Sequence, residues 1–443
     1  MSYQKIFRFW LPLAFSWLLM TIAGPWIQAV ISRLPDAKTN LAAFGIVMSV
    51  SVTIETPIMM LLATSTALAR DRQAYRVLWR YMLVANVLVT VIAAAFAFTP
   101  LFEWWTGILL GIPDNVHDAA RPGMVIMLLW SAAIGYRRFF QGILIRNDQT
   151  GVIGSGTIIR VVVSAGLAIL LGAIAGWSGV VIGAIAMVSS VGAEAVYAVW
   201  YAGEAVDKLK ATEPEPDAQP LTYRMIFAFH APLAMTSLLT LLVRPMIERG
   251  LASTANAEDA LAAWPIVFSI ILIMRAGGMA WQEVVIALSK GPEQTRALRR
   301  FTVVMGTSLS GAMALLAFTP LIDVYIGYLL SVPQDIRPLV IEGTRIACLI
   351  PMLTTFQNYL RAMLMRTDTT APIYQAMAVG LVVTGTTIWV GLHLGLSGLI
   401  TAGLSLTFGM TVEMALLWVR YNTNKFKLKA IWQSVPPATV AGD

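Results

Sequence analysis

The sequence predicts an all-α polytopic membrane protein: twelve transmembrane helices in two parallel six-helix lobes, with both termini cytoplasmic. Three observations carry that reading: long apolar runs, a repeat at a fixed offset, and basic residues confined to one side. Of the 443 residues, 58% are hydrophobic and 12% charged, and the mean hydropathy is +0.73. A soluble domain carries about 25% charged residues, so most of this surface must face lipid. A spanning helix needs roughly 20 apolar residues. The runs here are continuous rather than alternating, which selects helices over a barrel.

Twelve spans follow in order: 7–32, 41–68, 77–101, 121–145, 151–174 and 179–202, then 226–250, 260–288, 298–322, 337–364, 371–393 and 398–420. Lys5 and Arg8 precede the first run. That run is too long for the apolar core of a cleaved signal peptide, so it is read as the first helix. Residues 203–225 contain Glu213-Pro214-Glu215-Pro216 and form a polar, proline-broken linker between lobes 1–202 and 226–443.

The two halves align at an offset of 220. Pro12-Leu13-Ala14 falls on Pro232-Leu233-Ala234, Pro25 on Pro245, and Ala97-Phe98-Thr99-Pro100-Leu101 on Ala317-Phe318-Thr319-Pro320-Leu321. At 219, Ser178-Gly179 meets Ser397-Gly398 and Glu194 meets Glu413. Internal repeats are the first thing to seek in a long chain, and six spans per copy make this one parallel. Counting Lys and Arg in the loops and at the helix ends beside them, with Arg137, Arg138 and Arg361 taken as basic-loop residues on the side of the termini, places 22 on that side and 5 on the other. The positive-inside rule then puts both termini in the cytoplasm, of a bacterial inner membrane. This sidedness accounts for the net charge of +7 without a nucleic-acid partner. A parallel repeat suggests substrate bound between the lobes near the midplane, with the lobes rocking around it.

Ionisable groups inside a membrane are costly and mark partners or cavities. The candidates are Glu55, Arg160, Glu194, Arg244, Glu248, Arg275, Glu283, Arg345 and Glu413. Glu194 and Glu413 occur in both copies, and with Arg160 they are read as architectural. The rest break the repeat: Arg244 falls on Gly24, Arg275 on Glu55, Glu248 on Gln28 and Arg345 on Val125. Three arginines in the second lobe suit an anion, because guanidinium forks match carboxylate and phosphate. The competing reading makes each a fixed pair: Arg244 with Glu248 four residues on, Arg275 with Glu283 or with Glu55. Glu55, Glu283 and Glu248 are candidate ion-coupling groups. Gln28, at the far end of helix 1, and Gln357 and Asn358, in the polar stretch after Pro351, are candidate substrate contacts. Pro25, Pro245 and Pro351 each remove a helical hydrogen bond and are candidate hinges.

Nothing points to catalysis. Neither a GxGxxG nor a Walker A pattern occurs, the single cysteine, Cys348, leaves no disulfide or zinc pattern, and no metal or cofactor is expected. A gradient of ions or substrate, with H+ or Na+ as the coupling ion, is the expected energy source. Since one chain holds both lobes, a monomer is expected.

The chain resembles the progressive ankylosis protein family, within the MOP flippase superfamily that includes the MATE exporters. The residues that carry this are Arg8-Phe9 to Pro12-Leu13, Gln28-Ala29, Gly142-Ile143-Leu144, Pro232-Leu233-Ala234, Arg244-Pro245, Glu283, Arg345-Ile346 with Pro351, Leu364-Met365 and Glu413. The resemblance implies a MATE-like fold around a central cavity and export of citrate-like or phosphate-bearing anions. It assigns Arg244 and Arg345 to the family's intramembrane arginines and Glu283 to an acid. Glu55 and Arg275 depart from the family pattern. The alternatives are a MATE-type antiporter of organic cations and a flippase of lipid-linked precursors.

Overall fold

The computed structural model describes residues 3–149, 151–214, 219–289, 291–365 and 371–423. Among these, twelve helices are long and apolar enough to cross a membrane: α1 Tyr3–Ile31, α2 Ala37–Leu68, α3 Arg72–Phe98, α4 Asp114–Arg146, α5 Gly151–Ile174, α6 Gly179–Tyr201, α7 Tyr223–Ala252, α8 Ala257–Leu288, α9 Pro292–Phe318, α10 Arg337–Met365, α11 Ala371–His393 and α12 Gly398–Thr423. No strand occurs among the described residues.

Most helices outrun the apolar stretches that reveal them, because a helix continues into its polar turns until a capping residue ends it. Asp71 accepts the Ala74 N–H and starts α3 five residues before the hydropathy run. Thr222 does the same for α7 through Met225 N–H, and Pro292 sits in the first turn of α9. Gly176 and Gly395, 219 apart, take φ +63° and +68° just beyond α5 and α11. That left-handed geometry closes a helix and favours glycine. Outside the twelve apolar runs, Leu101–Leu110, most of it π-helical, and Gly203–Ala211 inside the expected linker are also helical. Val324–Leu329 is the second-half π-helix matching the first.

The packing repeats as the sequence does. Helix α4 packs on α2, α3 and α6, and α5 on α6 and α1; α10 packs on α8, α9 and α12, and α11 on α12 and α7. Between the halves, α1 crosses to α8, α7 crosses to α2, and α2 meets α8 directly.

The prolines act unequally. Helix α1 runs unbroken through Pro12 and Pro25, whereas α7 is interrupted at Leu242, three residues before Pro245. A 3-10 turn, Ala347–Leu349, precedes Pro351 in α10. Proline leaves the carbonyl four residues earlier without its N–H partner, and the breaks fall there. Both α2 and α8 are also interrupted at matched positions, Met60 and Ala280, although only α2 has a proline just upstream, Pro57.

Candidate functional site

The candidate site lies where α2 and α8 meet, and it is closed at one end. At the helix N-termini, Lys38 Nζ stands 3.0 Å from Asp259 and 2.7 Å from Asp335, and Thr39 donates to Glu258 Oε1 at 2.5 Å. One turn deeper Gly45 faces Pro265: a Cβ on Gly45 would lie 2.5 Å from the proline Cγ, so only glycine allows this approach. Gln28 of α1 ties the seam from the side, donating to Pro265 O and accepting from Ser269 Oγ, both at 3.0 Å. Burial is nearly continuous from Asn40 to Ser51 and from Ala260 to Ile271, then falls at matched positions, Val52–Ile54 and Leu272–Arg275. Beyond that point the two helices take other partners. Helix α2 meets α7 through Ser237–Met60 at 3.2 Å and His230–Thr64 at 2.9 Å. Helix α8 receives the Trp10 indole N–H of α1 at Gly277 O, 2.9 Å away. The seam is thus sealed at the end remote from residues 203–222 and diverges toward the linker end.

Each half carries a buried ionic cluster deeper inside. In the first, Glu194 of α6 accepts from Arg137 Nη1 at 2.6 Å and Gln141 Nε2 at 3.0 Å, both on α4. Arg160 of α5 lies 3.7 Å away through Nε and donates through Nη2 to Met20 O of α1. Arg138 stands beside this cluster with part of its surface open and makes no hydrogen bond or ion pair among the described residues; its Nε is enclosed without an acceptor. In the second half Glu413 pairs with Arg361, and Gln357 donates to Met410 O at 3.0 Å. Position 137 matches 357 and 141 matches 361, so arginine and glutamine have exchanged places by one turn. Position 138 matches Asn358, which donates to Gly278 O at 2.7 Å. Gln357 and Asn358, expected to touch substrate, are therefore buried ties between helices, because each amide finds a backbone carbonyl on a facing helix.

The three second-half arginines do not form one cluster. Arg275 lies part-buried where α8 leaves α2, with its Nε enclosed and without a hydrogen bond or ion pair among the described residues. Arg244 stacks on the Phe268 ring, 4.7 Å from its centroid, and forms no ion pair with Glu248. Arg345 is exposed, donates from Nε to Ala317 O at 3.1 Å and covers the Phe318 ring at 5.4 Å. It serves the C-terminus of α9, where free carbonyls favour a cation.

The acids are equally dispersed. Glu55 is 1% exposed and accepts from the Ser131 hydroxyl, while its Oε2 has no partner; it does not pair with Arg275. Glu248 is 2% exposed, also with Oε2 unpartnered, at the position matched by the doubly bonded Gln28. Glu283 is exposed toward the linker end of α8 and makes no ion pair with Arg275. Sequence reading missed Arg137, Arg138 and Arg361 altogether, assigning them to basic loops. The offset itself held the signal, since it sets two arginines against Gln357 and Asn358.

Among the described residues no group of three or more His, Cys, Asp and Glu side chains is placed to hold a metal ion. Compared with known proteins, the chain matches no family model and no curated protein sequence. Its structure is similar to an inward-facing multidrug resistance MATE family transporter of the MOP superfamily, at 13% identity and a TM-score of 0.71 over 96% of this chain and 99% of that one. It is also similar to the Lipid II flippase MurJ in an inward closed conformation, at 10% identity and 0.69 over 96% and 91%. A MOP superfamily transporter from Pyrococcus furiosus, described by the reverse polarity of its binding pocket, matches at 14% identity and 0.66 over 96% of each chain. The twelve-helix fold of this chain is that of the MATE transporters.

Proposed function

We propose that the chain is a secondary transporter that moves small organic or phosphate-bearing anions by alternating access. In this reading residues 1–202 and 226–443 rock against each other, joined by 203–225, with both termini cytoplasmic. The observation that carries it is three guanidiniums without a counter-ion: Arg138 in the first half, and Arg244 and Arg275 in the second, have no carboxylate within ion-pair distance among the described residues. A buried cation left unpaired is costly, and an anionic substrate would complete it by charge-assisted hydrogen bonds. The resemblance to the progressive ankylosis family supports the same class, and the reversed pocket polarity of the Pyrococcus furiosus transporter is a precedent within the fold. The seal between α2 and α8 is the far gate, which opens as the linker end closes.

The test is flux in proteoliposomes, comparing labelled citrate and ATP with an organic cation, with and without a pH gradient. Anion flux is expected, reduced at least about tenfold in Arg275→Gln and in Arg138→Gln, as for loss of one charged hydrogen bond. Flux unchanged in both variants rejects the site.

A second reading, an antiporter of organic cations coupled to H+ or Na+, is favoured by Glu55 and Glu248, buried acids each with an oxygen unpartnered. Cation flux tied to the pH gradient, lost in Glu55→Gln and kept in Arg275→Gln, would establish it in place of the first.

A further inference from the structure

Two membrane-facing grooves flank the sealed end, and they correspond at an offset of 220. One, of about 560 Å³, lies between the Leu101–Leu110 helix of the first half and α7 and α11 of the second. The other, of about 470 Å³, lies between α1 and α5 of the first half and Tyr328 and Leu329 of the second. Met246 in one corresponds to Trp26 in the other, Trp389 to Ile169, Leu392 to Gly172 and Leu109 to Leu329. Each groove holds one arginine, but at unmatched positions and in different states. Arg33 is occupied: it donates to Ala29 O, and across the halves to Leu329 O at 2.9 Å and Tyr328 O at 3.3 Å. Arg249 is exposed, and its guanidinium has no hydrogen bond or ion pair among the described residues. Its Nη1 rests against Gly111, where a Cβ would come within 2.2 Å and where φ is +67°.

We propose that the Arg249 groove holds a membrane phospholipid, its acyl chain along Leu110, Met246 and Ile388 and its phosphate on the Arg249 guanidinium. The walls are apolar, with Leu109 42% and Trp389 60% exposed, as suits the hydrocarbon region and its interface. The one uncommitted charge at the rim is the complement of a phosphate. A free phosphate would leave those walls uncovered, and an uncharged lipid would leave Arg249 unmatched. Because both halves supply the walls, a bound lipid favours the state in which this end is sealed.

The test uses the full chain in a non-ionic detergent and native mass spectrometry, adding phosphatidylglycerol or diacylglycerol with the same acyl chains. Phosphatidylglycerol is expected to be retained about tenfold better, as for one charge-assisted contact. Arg249→Gln should lose that preference, while Arg249→Lys and Arg33→Gln keep it, which separates loss of the contact from loss of the fold. Gly385→Leu, whose Cβ approaches Met246 Cε within 2.8 Å, should fill the groove and weaken both lipids with Arg249 intact. Equal retention of the two lipids, a loss in Arg33→Gln as large as in Arg249→Gln, or displacement of the lipid by inorganic phosphate alone would overturn the proposal.

Discussion

Glu194 and Glu413 occupy matched positions in the two halves, yet their surroundings differ in kind. Glu194 is 2% exposed, and two arginines and a glutamine converge on it while a third arginine stands alongside. Glu413 has one arginine in contact and lies nearer the surface at 8%. Gly380 shows how the third-helix partner disappears: it occupies the place of Arg160 at an offset of 220 and packs against the Glu413 side chain, 3.3 Å from a built Cβ to Glu413 Cβ. A repeated carboxylate therefore preserves a position, while the charge balance around it is free to diverge. The first half ends with surplus cations inside its own cluster, and the second carries its surplus on α7 and α8.

The largest effect should come from breaking that comparison at its tighter side. Glu194→Gln leaves three guanidiniums without a counter-charge and should destabilise by about 3–5 kcal/mol, the range for orphaning one side of a buried pair. Thermal unfolding in detergent measures it, and Glu413→Gln should cost less. A shift for Glu194→Gln no larger than for Glu413→Gln would mean that the cluster is not the stronger anchor. Transplanting one arrangement into the other sharpens the point: Arg137→Gln should unfold at a clearly lower temperature, and adding Gln141→Arg should recover most of the loss, as Arg361 serves Glu413 from that position.

Next in size is the seam. Gly45→Ala places a methyl against Pro265 and should weaken the sealed state by about 1–3 kcal/mol, the usual cost of overpacking. Reactivity of a cysteine introduced at Ser49 toward a polar thiol reagent from the far side should rise; no change would mean that Gly45 does not set the closure. Smallest is the rim. The hydrogen bond from Lys38 holds the Asp335 carboxyl below the usual aspartate range. Its contribution is complete above the unfolded value near 4 and is lost as the pH falls through the lowered folded one. The side chain is half exposed, so Asp335→Asn should cost only about 0.2–1 kcal/mol at neutral pH and abolish that acid-range dependence. A dependence that survives in Asp335→Asn would assign it to another group.

Architecture was legible because hydropathy, repeat and helix length answer to the same solvent. The offset of 220 places the ends of α3 and α9 at Phe98 and Phe318, as the repeated Thr-Pro after each requires. The site was less legible. Charge near a helix end looks the same in sequence whether it enters water or turns inward. Arg137 and Arg138 were therefore taken as loop residues, although Arg137 is 4% exposed. Depth along a helix follows from the rise per residue, but the direction a side chain faces depends on its neighbours. That is why Arg345 was placed with Arg275 and lies instead at the end of α9. Polarity within a membrane helix has two outlets, water or a neighbouring carbonyl, and Gln357 and Asn358 took the second.

Gly45 and Pro265 are the same position in the two copies, and they touch. A residue that meets its own counterpart lies on the pseudo-twofold axis, as in an isologous dimer. In an assembly of two identical six-helix chains that position would have to meet itself: two prolines would collide, and two glycines would leave a void. The glycine and proline fit as a pair only when the two units differ. Joining both units in one polypeptide permits a ball-and-socket contact on the axis that a symmetric dimer cannot make. The contact thus depends on the two units being different, and a chain built from two copies of either half should seal poorly at that point.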